Sequence, residues 1–166
     1  MSSLFDNIIA RVLTAEGGYL SPQEAAKQGD PGGETNWGIS KRAYPDLDIK
    51  NLTRAQAVEI YRNDYWNHID GDNLPSAVAF AMLDAAINSG WTKSIMWLQK
   101  AAGVADDGKY GPISKAAVKK ADAADLMLVI SAERLEYMTR LSNWQTNSRG
   151  WARRIAQNLR YGAEDN

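Results

Sequence analysis

Cysteine is absent from the 166-residue chain, and histidine occurs once, as His68. The first absence excludes disulfides, thiolate metal centres and cysteine nucleophiles. The second leaves no HExxH-type spacing and no histidine-based metal site, and a Ser/His/Asp arrangement would have to use His68 by default. An excess of charge of one sign is also lacking. Nineteen Lys+Arg against twenty Asp+Glu give a formal net charge of -1, which supplies no general attraction to nucleic acid. No apolar run is long enough to span a membrane, and the opening Met1-Ser2-Ser3-Leu4-Phe5-Asp6 has no basic segment ahead of an apolar stretch. Neither a signal peptide nor a stable membrane association is expected, and synthesis in a cytoplasm follows. Carboxylate chemistry is what these exclusions leave, with no metal or cofactor expected.

The chain has an ordinary apolar fraction of 45% and a charged fraction of 23%, which suits one compact soluble domain rather than a disordered chain. Strand signals are nearly missing, since no period-2 alternation is sustained. Helical signals are frequent. Leu4, Ile8 and Val12 recur every fourth residue, flanked by Phe5, Ile9 and Leu13, and predict a helix from about Ser3 to Glu16 that Gly17-Gly18 ends. A long loop from Tyr19 to about Gly38 is expected next, and loops of that length inside compact domains tend to be functional. Thr53-Arg54-Ala55-Gln56 reads as a capping box that opens a helix carrying Val58, Tyr61 and Tyr65. After Pro75, the run Ala77 to Ile87 is apolar nearly all round, predicting a central buried helix that Gly90 stops. Further helices are expected from about Lys93 to Ala102, after Ser114, and from about Asp125 to Leu141 with Leu126, Val129, Ile130 and Tyr137 inward. A last helix should turn Trp151, Ile155 and Leu159 inward, with Arg153, Arg154 and Arg160 outward. The fold class is all-α, with little or no sheet.

Glu16 continues the Leu4-Ile8-Val12 stripe and falls where the helix ends. Desolvation and the negative end of the helix dipole both raise the pKa of a carboxyl in such a place. A carboxylic acid kept protonated near neutral pH can protonate the leaving oxygen of a glycoside. A last-turn glutamate pointing into water is the other reading, and the stripe alone does not choose between them. The loop that follows, Asp30-Pro31-Gly32-Gly33-Glu34-Thr35-Asn36-Trp37-Gly38-Ile39, gathers a carboxylate, a hydroxyl, an amide and an indole around glycines. Such groups bind sugars: indole faces stack on pyranose rings, and amides and hydroxyls bond to sugar substituents. Asp30 can hold or deprotonate an attacking water and Thr35 can orient it, although Asp-Pro-Gly-Gly is also an ordinary turn sequence. Glu34 can be a second acid, though a solvated loop charge is the commoner role. Tyr61, Tyr65 and Trp66 can line a sugar cleft, but at least two are expected in the core. His68 is expected to be structural, and Arg149, Arg153, Arg154 and Arg160 to form a solvated face rather than a contact to anionic wall polymer or nucleic acid.

Glu16-Gly17-Gly18-Tyr19 followed by Asp30 to Ile39 resembles the EGGY and DPGGxTNxGI signature of the glycoside hydrolase family 108 muramidases, lysozyme-like enzymes common among phage endolysins. Asp84 and Asn88, with Ser89-Gly90, resemble that family's DxxxNxG helix. Leu98-Gln99, Asp107-Gly108, Gly111-Pro112 and Gly150-Trp151 with Arg154 are similar to its C-terminal peptidoglycan-binding region. The resemblance implies a lysozyme-like helical fold, with a catalytic region over residues 1–90 and a peptidoglycan-binding-like helical region over 91–166 packed into the same domain. It implies Glu16 as general acid, Asp30 and Thr35 as water-positioning residues, and Tyr19, Asn36, Trp37, Asp84 and Asn88 as substrate-binding residues. The implied reaction is hydrolysis of the β-1,4 bond from N-acetylmuramic acid to N-acetylglucosamine in peptidoglycan, which lyses the host cell. The enzyme would act as a monomer on glycan strands in the periplasm, released by a separate holin and binding no nucleic acid. A lytic transglycosylase giving 1,6-anhydromuramic ends, and a non-catalytic wall-binding module, are the alternatives.

Overall fold

The computed structural model describes residues 3–16, 18–27 and 33–166; the side chains of Ala15 and Glu16 lie outside the described set. Among the described residues there are eight α-helices and one two-stranded sheet, so the all-α expectation holds. The chain forms two compact units, Met1–Asp64 and Tyr65–Asn166.

The first unit opens with α1, Leu4–Glu16. Ser3 and Asp6 cap it reciprocally, Asp6 N donating to Ser3 Oγ (3.1 Å) and Ser3 N to Asp6 Oδ2 (2.9 Å). Phe5, Ile8, Ile9, Val12 and Leu13 are buried as their spacing predicts. The helix stop assigned to Gly17 lies outside the described residues. The expected loop from Tyr19 to Gly38 is not loop throughout. It holds a short helix α2, Pro22–Lys27, capped by Ser21 and Glu24, and the strand β1, Thr35–Asn36, which pairs antiparallel with β2, Ile39–Ser40. These pieces are too short to show a period in sequence. Helix α3, Arg54–Tyr61, carries the predicted Thr53–Gln56 capping box and continues into a π-helical turn at Arg62–Trp66.

The second unit is built around α4, Ser76–Ser89, which is buried from Ala77 to Ala86 and packs against α5 (Trp91–Ala101), α7 (Ala123–Thr139) and α8 (Trp144–Glu164). It is the central helix its composition predicts, and Gly90 stops it at φ 86°. Helix α6 starts at Pro112 and runs to Lys120. Two inward faces differ from expectation. On α7 Val129 is exposed, while Leu126, Ile130, Arg134 and Met138 face inward at four-residue spacing. On α8 the buried residues are Ile155, Asn158 and Gly162, with Trp151 and Leu159 only partly covered. Gly162 is needed there because a Cβ would come within 3.0 Å of the Ala77 carbonyl oxygen. The buried amide of Gln99 organises the Asp107–Gly111 turn. Its Nε2 lies within hydrogen-bonding distance of Asp107 Oδ1 (2.9 Å), Lys109 O (3.0 Å) and Ser114 Oγ (2.9 Å), three acceptors sharing its two hydrogens, and its Oε1 accepts from Gly108 N (2.8 Å).

Candidate functional site

The Thr35–Ser40 hairpin places most of the predicted loop residues. Its two turn residues, Trp37 (φ 55°) and Gly38 (φ 76°), are both left-handed, the pattern of a type I′ turn whose twist suits a two-residue hairpin. Glycine adopts this readily; a tryptophan does so at a cost of about 1–3 kcal/mol and persists only where neighbours hold it. Two groups do. Tyr61 Oη donates to the Trp37 carbonyl (2.9 Å), and Trp37 Nε1 donates to Leu52 O (3.0 Å). Asn36 Nδ2 turns inward toward Ile49 O (3.0 Å), Lys50 O (3.4 Å) and Leu52 O (3.3 Å). Its amide nitrogen is therefore committed to holding the hairpin against the Ile49–Leu52 turn.

Thr35 is the middle residue of three paired segments. Its N and O bond to Leu20 O (3.0 Å) and from Leu20 N (2.8 Å), and it stands opposite Ser40 on the other side. Alternation along the strand puts Leu20, Thr35 and Ser40 on one face and Tyr19, Glu34 and Asn36 on the other. The Thr35 side chain is half-buried. On the opposite face Tyr19 Oη donates to Glu34 Oε2 (3.0 Å). Desolvation, then the bonded Glu34 carboxylate, pushes the Tyr19 phenol above its ordinary value, which keeps it a donor.

The structure thus brings Tyr19, Glu34, Thr35, Asn36 and Trp37 together. Asp30 lies outside the described residues. Glu16 is the last residue of α1, in phase with Val12, and its side chain lies outside the described set.

Asp84 and Asn88 belong to the second unit, where they form one cluster with residues that sequence reasoning missed. Asp84 Oδ2 accepts from Arg134 Nη2 (2.9 Å) and Asn158 Nδ2 (3.1 Å), and Arg134 Nη1 donates to Asn158 Oδ1 (3.0 Å). Asn88 Nδ2 reaches back to Asp84 O (2.6 Å) and Oδ1 (3.2 Å), and Arg154 Nη1 donates to Asn88 Oδ1. Arg154, expected on a solvated face, is instead half-covered and 3.9 Å from Asp84 Oδ1. Burial pulls the Arg134 guanidinium below its usual value while Asp84 opposes the shift; an arginine stays charged nonetheless. A signal for this cluster exists in the sequence: Arg134 continues the Leu126-Ile130 stripe, and a cation in that phase demands a buried anion. His68 stacks on Trp91, rings 4.6 Å apart and nearly parallel at 8°. Tyr61 and Trp66 are core residues, as expected of two of the three aromatics. Among the described residues no three His, Asp or Glu side chains gather as a metal site.

A family model described as glycosyl hydrolase 108 matches residues 9–90, the span that contains Glu16, the hairpin, Asp84 and Asn88. The solved structure of Brucella abortus SagA is 34% identical, with a TM-score of 0.85, covering 97% of this chain and 94% of that one. No curated protein sequence matches.

Proposed function

Because the chain belongs to the glycosyl hydrolase 108 family, we propose that it is an N-acetylmuramidase cleaving the β-1,4 bond between N-acetylmuramic acid and N-acetylglucosamine in bacterial peptidoglycan. Glu16 protonates the bridging oxygen as the glycosidic C–O bond breaks. Water adds to the anomeric carbon, its proton passes to Asp30, and Thr35 Oγ1 orients it. A separation of roughly 6.5–9.5 Å between the two carboxyl groups admits that water and inverts the anomeric configuration, whereas about 5 Å implies retention.

The observation that carries this reading is the placement of Thr35. Its backbone is fixed on both sides by Leu20 and Ser40, and its side chain is half-buried. A water-orienting hydroxyl is precise only on such a rigid frame. Tyr19 and Trp37 supply sugar contacts, while Asn36, with its amide nitrogen engaged, serves by holding the strand that carries Thr35.

The cellular role proposed with this chemistry is that of a phage endolysin. It works as a monomer on glycan strands in the periplasm, after a holin has opened the membrane, and the cell lyses. No helix among the described residues is long and apolar enough to cross a membrane. The test is release of reducing ends from purified peptidoglycan. Loss of the general acid in Glu16→Gln lowers the rate by about 10²–10⁴, and an unchanged rate overturns the assignment.

A further inference from the structure

The second unit holds a cavity of about 610 Å³ between the turn Gly71–Asn73, the start of α4, Tyr110 and α6, a volume typical of small-molecule sites. Its floor is apolar, formed by Leu74, Pro75 and Val118. The polar wall consists mainly of donors. Lys115 and Lys119, both exposed, stand one turn apart on α6 at the mouth of the cavity they line. Tyr110 forms a half-buried aromatic side; burial, then the nearby Asp70 charge, pushes its phenol up to about 12, so the hydroxyl remains protonated.

Asp70 is the one carboxylate among the lining residues, and it is already engaged. Its Oδ2 pairs with Lys115 Nζ (2.8 Å) and its Oδ1 accepts from Asn73 Nδ2 (2.9 Å). Two ammoniums against one carboxylate leave the lining with a formal charge of +1. The Asp70 backbone is left-handed at φ 54°, a strained conformation for a non-glycine residue that tends to occur at ligand sites. The strain is held by Asn73, whose backbone N–H donates to Asp70 O (3.0 Å).

We propose that this cavity binds a carboxylate-bearing ligand, its charge between Lys115 and Lys119 and its body against the Tyr110 ring and the Leu74–Val118 floor. An uncharged sugar chain has no use for paired ammoniums. The muramidase reading, on which the choice of source rests, offers two ligands of this chemistry: the lactyl-peptide arm of the glycan and a free acidic wall peptide.

The test titrates the isotope-labelled full chain and follows backbone amide shifts. The probes are N-acetylmuramyl-L-alanyl-D-isoglutamine, the dipeptide L-alanyl-D-isoglutamine alone, and neutral chitotetraose. Saturable shifts centred on residues 70–75, Tyr110 and 115–119 are expected with a carboxylate probe, and Lys119→Met should weaken binding about two- to fivefold, the size of an exposed ion-pair contact. Lys119→Met leaves the Asp70–Lys115 pair in place, so it separates binding from folding. Equal binding of the dipeptide identifies the peptide as the ligand; weaker binding identifies the glycan-linked arm. Three results overturn the site: no saturable shift with either carboxylate probe, equal occupancy by chitotetraose, or unchanged affinity in Lys119→Met. Failure of the muramidase reading would appear separately, as undigested peptidoglycan with carboxylate binding retained.

Discussion

Replacing Asp84 by alanine should damage the second unit far more than the loss of one surface charge. Arg134 is 1% exposed and Asp84 12% exposed at the side chain, and they meet at 2.9 Å. Asn158 and Asn88 complete the acceptor sites of the carboxylate. Removing Asp84 strands a guanidinium in the interior, which typically costs about 3–5 kcal/mol. For a chain of this size that corresponds to a fall in Tm of roughly 6–20 °C. The exposed Arg140–Glu136 pair, spaced i,i+4, gives the internal control; Glu136→Ala should cost at most about 0.5 kcal/mol. A second comparison separates charge from packing. Asp84→Leu combined with Arg134→Met removes both charges and should recover most of the loss, because buried pairs replaced together by apolar groups are often neutral. Urea unfolding followed by tryptophan fluorescence suits the measurement, since Trp66, Trp91, Trp97, Trp144 and Trp151 all lie in the second unit. A cost below about 1 kcal/mol for Asp84→Ala, or a double variant no more stable than the single one, refutes the reasoning.

Gly71→Ala should destabilise by about 1–3 kcal/mol or more, because the new Cβ would lie 2.2 Å from Cδ2 of the fully buried Trp66; near-ultraviolet circular dichroism during thermal unfolding reads it. Tyr61→Phe removes the hydroxyl that holds the Trp37 carbonyl and should cost about 1 kcal/mol, with a severalfold fall in peptidoglycan digestion as the hairpin slackens. The raised Tyr110 phenol gives a pH prediction. Its folded-state pKa lies above the unfolded value, so the stabilisation is full below pH 10 and is lost as pH rises from 10 toward about 12. Tyr110→Phe should flatten that alkaline limb and remove a phenol that ionises near pH 12 in a spectroscopic titration.

The helices were largely legible because their stripes repeat over several turns: α1 shows Ile8 and Val12, and α4 is apolar almost all round. The hairpin was not. Two-residue strands leave no alternation to read, and a tryptophan in a left-handed turn position runs against its steric preference. What fixes it, the Tyr61 hydroxyl and the Leu52 carbonyl, arrives from residues 24 and 15 positions away. The polar pair on α4 was visible as Asp84 and Asn88, but its partners Arg134 and Asn158 stand 50 and 74 residues further on. Only the helical phase of Arg134 hinted at them. The Asp70 cavity left no trace, since it joins a strained turn to a helix face more than forty residues later.

The central claim is that this family member hydrolyses wall glycan with Glu16 as its acid. Mass spectrometry of purified peptidoglycan digested by the wild-type chain and by Glu16→Gln tests it most directly. Muropeptides ending in reducing N-acetylmuramic acid, with one oxygen from solvent water, are predicted for the wild type and should be nearly absent for the variant. 1,6-Anhydromuramic ends, or the same products at the same rate from Glu16→Gln, would contradict it.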